Sequence, residues 1–214
     1  MKVGVIDYGV GNLGSVLRAL EELDVSPVLV DRPVDMHRVD CLILPGVGSF
    51  TDCVRLLDKG GWIEPIKQEV QEFGRPLLGV CVGMQLLADS GVEGTTDAEA
   101  GGTPGLGFVP GRVEHLGTLG CELRLPHVGW NEIRCGDTRD SLFDEIPDGT
   151  DFYFTHSYAF AARDAADVIA TADYGVPVTA AVRHGHVWGT QFHPEKSSRA
   201  GIKLLANFLA GPSC

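Results

Sequence analysis

The sequence predicts an α/β fold: a mostly parallel central sheet flanked by helices, with an additional antiparallel or mixed sheet portion in the C-terminal half. Over residues 2–89, short apolar runs alternate with segments of helical periodicity, which is typical of parallel strands covered by helices. Over residues 108–191 the apolar runs are short and alternating, which favours antiparallel strands that extend the same sheet. The length, about 1.4 typical domains, and the lack of an obvious linker predict one domain over residues 1–214.

The N-terminal half is expected to alternate between strands and helices from its first residues. A strand over residues 2–6 ends at the turn Asp7-Tyr8-Gly9, and the helix that follows has Asn12 as its N-cap. The later elements follow from the same two signals: apolar runs bounded by turn residues, and apolar residues that recur three or four apart. They are strands over 27–30, 40–44 and 76–80, and helices over 50–57, 62–73 and 83–89.

The C-terminal half begins with an expected exposed loop over residues 90–107, which is rich in Gly, Thr and acidic residues. A second loop, residues 134–151, carries six acids against two Arg and is predicted to be a solvated face. A closing helix has a cap at Ser197 or Ser198 and a stop at Gly211-Pro212. The predicted strands between these features are 109–114, 130–133, 152–155, 168–172, 179–183 and 187–192.

The composition excludes several classes of protein. With 29 acidic and 17 basic residues, a formal charge of -12 and no basic stretch, the chain is not expected to bind nucleic acid or an anionic membrane surface. Its longest apolar stretch, residues 76–88, is shorter than the roughly 20 residues that a bilayer span needs. Asp7 interrupts any signal core at the N-terminus. These features predict a soluble, cytoplasmic protein.

Six cysteines are scattered without a CxxC pair, so neither a disulfide framework nor a metal site is expected. Cys81 differs from the others because it lies in Gly79-Val80-Cys81-Val82-Gly83, a G-x-nucleophile-x-G pattern between an apolar strand and a helix. Such a turn needs small flanking residues, and it places the sulfur at a helix N-terminus with the Val82 amide ready to donate to an oxyanion. The alternative is a structural cysteine buried in a strand–helix contact.

A nucleophilic cysteine needs a base, and His193-Pro194-Glu195 offers one. Pro194 favours an extended backbone at His193, and residues two apart in an extended segment project to the same side. The carboxylate of Glu195 could then hold the His193 ring, as in a nucleophile–histidine–acid triad. His156 is the rival base, and it has no acid at a compatible spacing.

Two glycine-rich turns carry further signals. Gly46-Val47-Gly48 follows a strand, so amides of Val47 and Gly48 could complete an oxyanion hole. Gly9, Gly11 and Gly14 match G-x-G-x-x-G after the first strand, and Asp31 stands at the end of the second. A non-catalytic Rossmann-like binding module is therefore an open alternative at this point.

In combination these motifs resemble the class I (triad) glutamine amidotransferases, and among them the glutaminase subunits of imidazole glycerol phosphate synthase. The similarity extends from residue 2 to about residue 209. It is carried by Asp7-Tyr-Gly-x-Gly-Asn12-Leu, Pro45-Gly-Val-Gly48, Gly79-Val-Cys81-Val-Gly-Met-Gln85, Gly105-Leu-Gly-Phe-Val-Pro-Gly111, His127-Val-Gly-Trp130-Asn131, Tyr153-Phe-Thr-His156-Ser157-Tyr158 and Phe192-His-Pro-Glu-Lys196-Ser197.

The resemblance implies hydrolysis of L-glutamine to glutamate and ammonia through a Cys81 thioester, with His193 and Glu195 completing the triad and no cofactor or metal. It implies delivery of the ammonia to a (β/α)₈-barrel cyclase subunit, as a heterodimer, in histidine biosynthesis. An amidotransferase that serves another synthase is the nearest alternative. The resemblance assigns the oxyanion hole to Val47, Gly48 and Val82, glutamine binding to Gly48, Gln85, Ser157 and Tyr158, and the partner-facing ammonia passage to Asn12, Trp130, Tyr153 and Lys196.

Overall fold

A computed structural model describes residues 1–95, 101–136 and 139–211. Its strands are β1 (Lys2–Ile6), β2 (Ser26–Val30), β3 (Cys41–Gly46), β4 (Leu77–Cys81), β5 (Ser90–Gly91), β6 (Thr103–Pro104), β7 (Gly111–His115), β8 (His127–Cys135), β9 (Asp151–His156), β10 (Tyr158–Ala162), β11 (Val168–Asp173), β12 (Pro177–His184) and β13 (Val187–Thr190). The α-helices are α1 (Leu13–Glu21), α2 (Phe50–Lys59), α3 (Ile63–Lys67), α4 (Val82–Gln85) and α5 (Ser198–Ala210).

The predicted fold class is confirmed by the main sheet. Nine strands pair in the order β2-β1-β3-β4-β13-β12-β11-β8-β9. The pairs from β2 to β13 are parallel, and those from β13 to β9 are antiparallel. The two inner parallel strands β3 and β4 are buried along their whole length, because helices and neighbouring strands cover them.

The sequence predicted that the C-terminal strands extend this sheet, but some of them form a second sheet instead. β7 pairs with β10 and β5 in a separate four-stranded sheet of order β10-β7-β5-β6. β10 was not predicted from the sequence, and β5 and β6 lie where an exposed loop was expected. The alternating pattern of β7 identifies a strand, but it does not determine which strand pairs with it.

Several element boundaries also differ from the prediction. The helix expected over 83–89 ends at Gln85, and the one expected over 62–73 is α3 followed by a π-helical turn, Gln68–Glu72. Asn12 precedes α1 but makes no capping hydrogen bond with its side chain. Ser197 precedes α5 without capping it, since its hydroxyl donates to the His193 carbonyl (2.6 Å) and accepts from the Tyr153 amide (3.0 Å).

The acidic 134–151 loop is not solely a solvated face. A 3₁₀ turn at Ser141–Phe143 buries Leu142 and Phe143, and Ile146 is buried as well. The prediction of a solvated face rested on the many charged residues of this loop and did not take its apolar residues into account. Residues 96–100 of the 90–107 loop, residues 137–138 of this loop, and Pro212 and Cys214 at the C-terminus lie outside the described residues. In the described ranges, no helix has the length and apolar character needed to cross a membrane.

The sheet order positions the site. β4 lies between β3 and β13, and all three are parallel, so their carboxyl ends meet at one edge of the sheet. In register, Gly46 of β3 lies beside Cys81 of β4, and Thr190 of β13 lies beside Val80. The loops after these strands therefore bring residues 46–48, Cys81 and the segment 191–195 to the same place.

Candidate active site

Cys81 stands at a sharp turn between β4 and α4. Its backbone has φ 56 and ψ -114, a conformation that costs a non-glycine residue on the order of 1–3 kcal/mol and persists only where packing enforces it. The flanking glycines allow the turn: a Cβ on Gly83 would lie 1.8 Å from the Leu44 carbonyl oxygen, and one on Gly79 would lie 2.5 Å from the Gly83 oxygen. The predicted need for small residues on both sides is confirmed.

His193 and Glu195 meet as their spacing predicted. His193 has an extended backbone, and its Nδ1 lies 2.8 Å from Glu195 Oε1, with both side chains almost fully buried. The His193 amide also donates to the Tyr153 carbonyl at 2.9 Å, which ties this segment to β9. The ring is therefore held in one orientation by its own backbone and by the carboxylate.

The third member of the predicted triad contacts the same ring. Since Nδ1 faces Glu195, Nε2 is the ring nitrogen left for the Cys81 side chain, which interacts with His193. Burial alone lowers the pKa of His193, but the hydrogen bonds with Cys81 and Glu195 outweigh it and raise this pKa to about 9. The raised pKa favours the imidazolium form of His193 at neutral pH.

The helix after Cys81 contributes less than the sequence suggested. α4 has four residues, and so short a helix has little dipole to act on the sulfur. The group that acts on the Cys81 side chain is instead the imidazole of His193, whose raised pKa favours its charged form.

The predicted oxyanion residues surround Cys81. Val47, Gly48 and Val82 line the same cavity as its side chain, and Gly48 has φ +95, which suits only glycine well. The buried thiol of Cys53 donates to the Val47 carbonyl at 3.4 Å. Because the carbonyl and the following amide of a trans peptide point in opposite directions, the Gly48 amide is directed away from Cys53.

Gln85 has a defined amide orientation at the floor of the cavity. Its Nε2 donates to the Tyr158 carbonyl (3.0 Å) and to Gln191 Oε1 (2.9 Å), and its Oε1 is buried without a partner. Gln85 is only 1% exposed and lines the cavity, so this oxygen is a buried acceptor that has no partner among the described residues.

These groups share a cavity of about 320 Å³, which suits a ligand of amino-acid size. Nine of the predicted site residues line it: Val47, Gly48, Cys81, Val82, Gln85, Ser157, Tyr158, His193 and Lys196. A larger cavity of about 680 Å³ lies between α1 and α5, but Glu195 is the only triad residue in its lining. The chemistry is therefore placed at the smaller cavity.

The predicted partner residues are only partly brought together. Lys196 Nζ lies 5.8 Å from the ring centroid of Tyr153, which is 6.1 Å from that of Trp130. Trp130 is 53% exposed, so it is not a core aromatic. Asn12, at the start of α1, does not line the cavity.

The rival base His156 is engaged elsewhere. Its Nδ1 lies 2.8 Å from the Tyr158 carbonyl and its Nε2 lies 2.9 Å from His127 Nδ1. Burial, opposed by the bond to Tyr158, lowers the pKa of His156 to about 3. This ring is neutral and has no free nitrogen with which to reach Cys81.

Two groups near Cys81 were not predicted from the sequence. Gln191 Nε2 lies 4.0 Å from Cys81 Sγ, and Glu93 adds a carboxyl group to the cavity wall. Gln191 stands two residues before His193, and side chains two apart in an extended segment project to the same side. The alternation that paired His193 with Glu195 could therefore have placed Gln191 beside His193 as well. Glu93 lies in a segment of the sequence rich in Gly, Thr and acidic residues, where nothing local distinguishes it.

Comparison with known proteins adds the following. The sequence profile of the family Glutamine amidotransferase class-I matches residues 4–211. The imidazole glycerol phosphate synthase subunit HisH of Brucella abortus (strain 2308) is 44% identical over 98% of both chains. Proteins of the same name from Geobacter sulfurreducens and Rhodospirillum rubrum are 42% and 43% identical, over 97% and 98% of both chains.

Solved structures agree on the fold. A structure described as a glutamine amidotransferase superimposes with a TM-score of 0.73 at 23% identity, over 97% of each chain. The structure of PurLQS from Thermotoga maritima gives a TM-score of 0.73 at 18% identity, over 98% of this chain and 97% of the other. At such low identities these likenesses concern the fold alone.

Proposed function

This chain belongs to the class I glutamine amidotransferase family, and from that membership we propose that it is the glutaminase subunit of an imidazole glycerol phosphate synthase. The name borne by relatives that are 42–44% identical over nearly the whole chain supports this. Membership of this family also removes the alternative of a dinucleotide-binding module. The match to residues 4–211 supports one catalytic domain.

The observation that carries the proposal is the contact of Cys81 with His193, which Glu195 holds, in a cavity of amino-acid size. In the proposed reaction the sulfur of Cys81 adds to the carboxamide carbon of L-glutamine. The imidazolium of His193 gives its proton to the nitrogen as the C–N bond breaks, which releases ammonia and leaves a thioester. A water molecule, deprotonated by the now neutral imidazole, adds to the thioester carbon, and the C–S bond breaks to release glutamate.

The negative charge that develops on the carboxamide oxygen needs amide donors. We assign the Val82 amide and amides of Val47 and Gly48 to this role, because these residues line the cavity with Cys81. The loop after β3 has a glycine at φ +95, so its peptides can change direction at low cost. Reorientation of this loop when the partner binds would make the isolated chain a poor glutaminase.

The amino-acid head of glutamine is assigned to the other wall of the cavity. The unpartnered Oε1 of Gln85 suits an α-ammonium donor, and Glu93 supplies a nearby negative charge. The segment at Ser157 and Tyr158 lines the same wall and is assigned to the head group as well.

The partner is proposed to be a (β/α)₈-barrel cyclase that receives the ammonia. Val47 in the cavity lining, and Val128 and Trp130 on β8, are exposed apolar side chains. Trp130 is connected to the lining through its ring contact with Tyr153, over which Lys196 lies. Val128 and Trp130 are two apart on β8 and project to the same side of the strand. Exposed apolar side chains clustered beside a catalytic cavity are typical of a surface that a second subunit covers. We assign Tyr153 and Lys196 to the passage between the two sites, and Asn12 to the contact with the cyclase.

The proposal is tested with Cys81→Ala in the assembled complex. Glutamine-dependent synthesis should be lost, while synthesis from added ammonia should persist, because the cyclase does not need the thiol. A glutamine-mimicking electrophile should label Cys81 alone in the unmodified chain. Glutaminase activity is then compared with and without the cyclase and its nucleotide ligand. The proposal would be contradicted if Cys81→Ala kept full glutamine-dependent activity, or if no barrel cyclase increased the glutaminase activity of the chain. Pairing the chain with other acceptor enzymes tests the nearest alternative.

A further inference from the structure

A chain of buried and part-buried hydrogen bonds runs from strand β8 to Gln85 in the cavity lining. Asn131 Nδ2 lies 3.2 Å from His127 Nε2, His127 Nδ1 lies 2.9 Å from His156 Nε2, and His156 Nδ1 lies 2.8 Å from the Tyr158 carbonyl. That carbonyl also accepts from Gln85 Nε2 at 3.0 Å. His127 and His156 are directly opposite each other in the β8–β9 pair.

The chain admits one arrangement of protons when both rings are neutral. A carbonyl only accepts, so His156 Nδ1 carries the proton and its Nε2 is an acceptor. His127 must then donate from Nδ1, which leaves its Nε2 to accept from Asn131. The Asn131 amide nitrogen also donates to the Asp173 carbonyl at 2.8 Å, which agrees with this direction.

The surroundings keep both rings neutral. His127 is stacked between Phe154 and Tyr174, with ring centroids 4.7 and 4.0 Å away, and both imidazoles are buried. Burial lowers the pKa of His127 to about 4 and, against the bond to Tyr158, that of His156 to about 3. Both rings are therefore uncharged near neutral pH, and each hydrogen bond of the chain keeps the same donor and acceptor there.

We propose that His156, held by His127, is a positioning residue that orients the Tyr158 carbonyl and through it the amide of Gln85, so that Gln85 Oε1 faces the glutamine head group. This rests on the proposed function. A flipped Gln85 amide would set its oxygen against the Tyr158 carbonyl oxygen, and the cavity would then present a donor to the α-ammonium. His156 also lines the cavity, but both of its ring nitrogens are engaged within this chain of hydrogen bonds, so its proposed contribution to glutamine binding is through the Tyr158 carbonyl and Gln85.

A matched pair of substitutions separates the two bonds of His156. Asn places its amide nitrogen near the position of Nδ1, so His156→Asn keeps a donor to the Tyr158 carbonyl and loses the acceptor for His127. Gln places its oxygen near the position of Nε2, so His156→Gln keeps the acceptor and loses the donor. Both variants should lower the melting temperature, because each leaves one buried group without its partner.

Only His156→Gln should weaken glutamine binding. In the full chain with its cyclase partner, we expect the KM for glutamine to rise roughly five- to tenfold in His156→Gln, the effect of one lost hydrogen bond, with kcat much less affected. His156→Asn should keep a KM within about twofold of the unmodified protein. Equal KM values in the two variants, or a loss confined to kcat, would overturn the proposal.

A second measurement needs no variant and no turnover. In the unmodified full chain at pH 7, ¹⁵N NMR should report His127 and His156 as neutral imidazoles with the proton on Nδ1. A charged ring, or a proton on Nε2 of either ring, would overturn the proposed hydrogen-bond chain even if the protein is a glutaminase. If the tautomers are as expected but glutaminase activity is absent, the proposed function is overturned and the hydrogen-bond chain is not.

Discussion

Gly83→Ala perturbs the catalytic turn by a single methyl group. The added Cβ would lie 1.8 Å from the Leu44 carbonyl oxygen and 2.9 Å from its carbon, whereas Cβ atoms do not normally approach closer than 3.0 Å. The contact is with backbone on both sides, so no side chain can rotate to relieve it. β3 and the start of α4 must therefore separate by about 1 Å.

That separation falls between the two halves of the proposed oxyanion hole. β3 leads into Val47 and Gly48, while the start of α4 carries Val82. A misplacement of about 1 Å costs on the order of 10²-fold in rate, and overpacking costs typically 1–3 kcal/mol of stability. We therefore expect glutamine-dependent kcat to fall about a hundredfold, while synthesis from added ammonia by the complex is preserved.

The assay measures glutamine- and ammonia-dependent synthesis together with the melting temperature. Gly136→Ala is the matched control, since the nearest atom to its Cβ among the described residues would be the Val168 carbonyl oxygen at 3.7 Å. It should leave both activities unchanged. If Gly83→Ala kept glutamine-dependent activity within twofold of the unmodified protein, the close packing of β3 against α4 would not control the site, and the reasoning would be refuted.

Three further predictions concern charge. Glu195→Gln should lower the pKa of His193 from about 9, so that the alkaline loss of glutaminase activity moves to lower pH and kcat falls about 10²–10⁴-fold, as a pH–rate profile would show. His127 and His156 have pKa values in the folded protein below the ordinary 6.5, so the unfolded chain binds more protons than the folded one below that pH. The free energy of unfolding should therefore fall as the pH drops from 6.5 towards 4, which urea unfolding at a series of pH values would measure. Asp140→Ala should lower the free energy of unfolding, measured by chemical denaturation, by about 3 kcal/mol. The buried carboxylate accepts hydrogen bonds from Arg183, Trp188 and the Leu142 amide, and all three donors would lose this partner. A loss below about 1 kcal/mol would contradict this.

Local features of the site were predictable from the sequence for a physical reason. A turn that leaves no room for a Cβ must have glycine there, so Gly79 and Gly83 identify the strand–turn–helix around Cys81 without any knowledge of the fold. The spacing of His193 and Glu195 likewise sets their relative position within one short segment. The parallel half of the sheet followed from continuous apolar runs, which are stable only when both faces are covered.

Features that depend on strand pairing were not predictable. The separate sheet of β7 and β10, and the cross-strand contact between His127 and His156, depend on which strands pair and in what register. Gln191 comes near Cys81 only when β13 pairs beside β4, and Glu93 reaches the cavity wall only when it bonds to the start of α2. The sequence by itself thus determined the nucleophile's turn, its histidine–carboxylate pair and the fold class, because each depends on local sterics or periodicity. Tertiary structure decided how these parts meet and which neutral groups position them, because side-chain contacts between distant segments are selected by the packing of the whole chain.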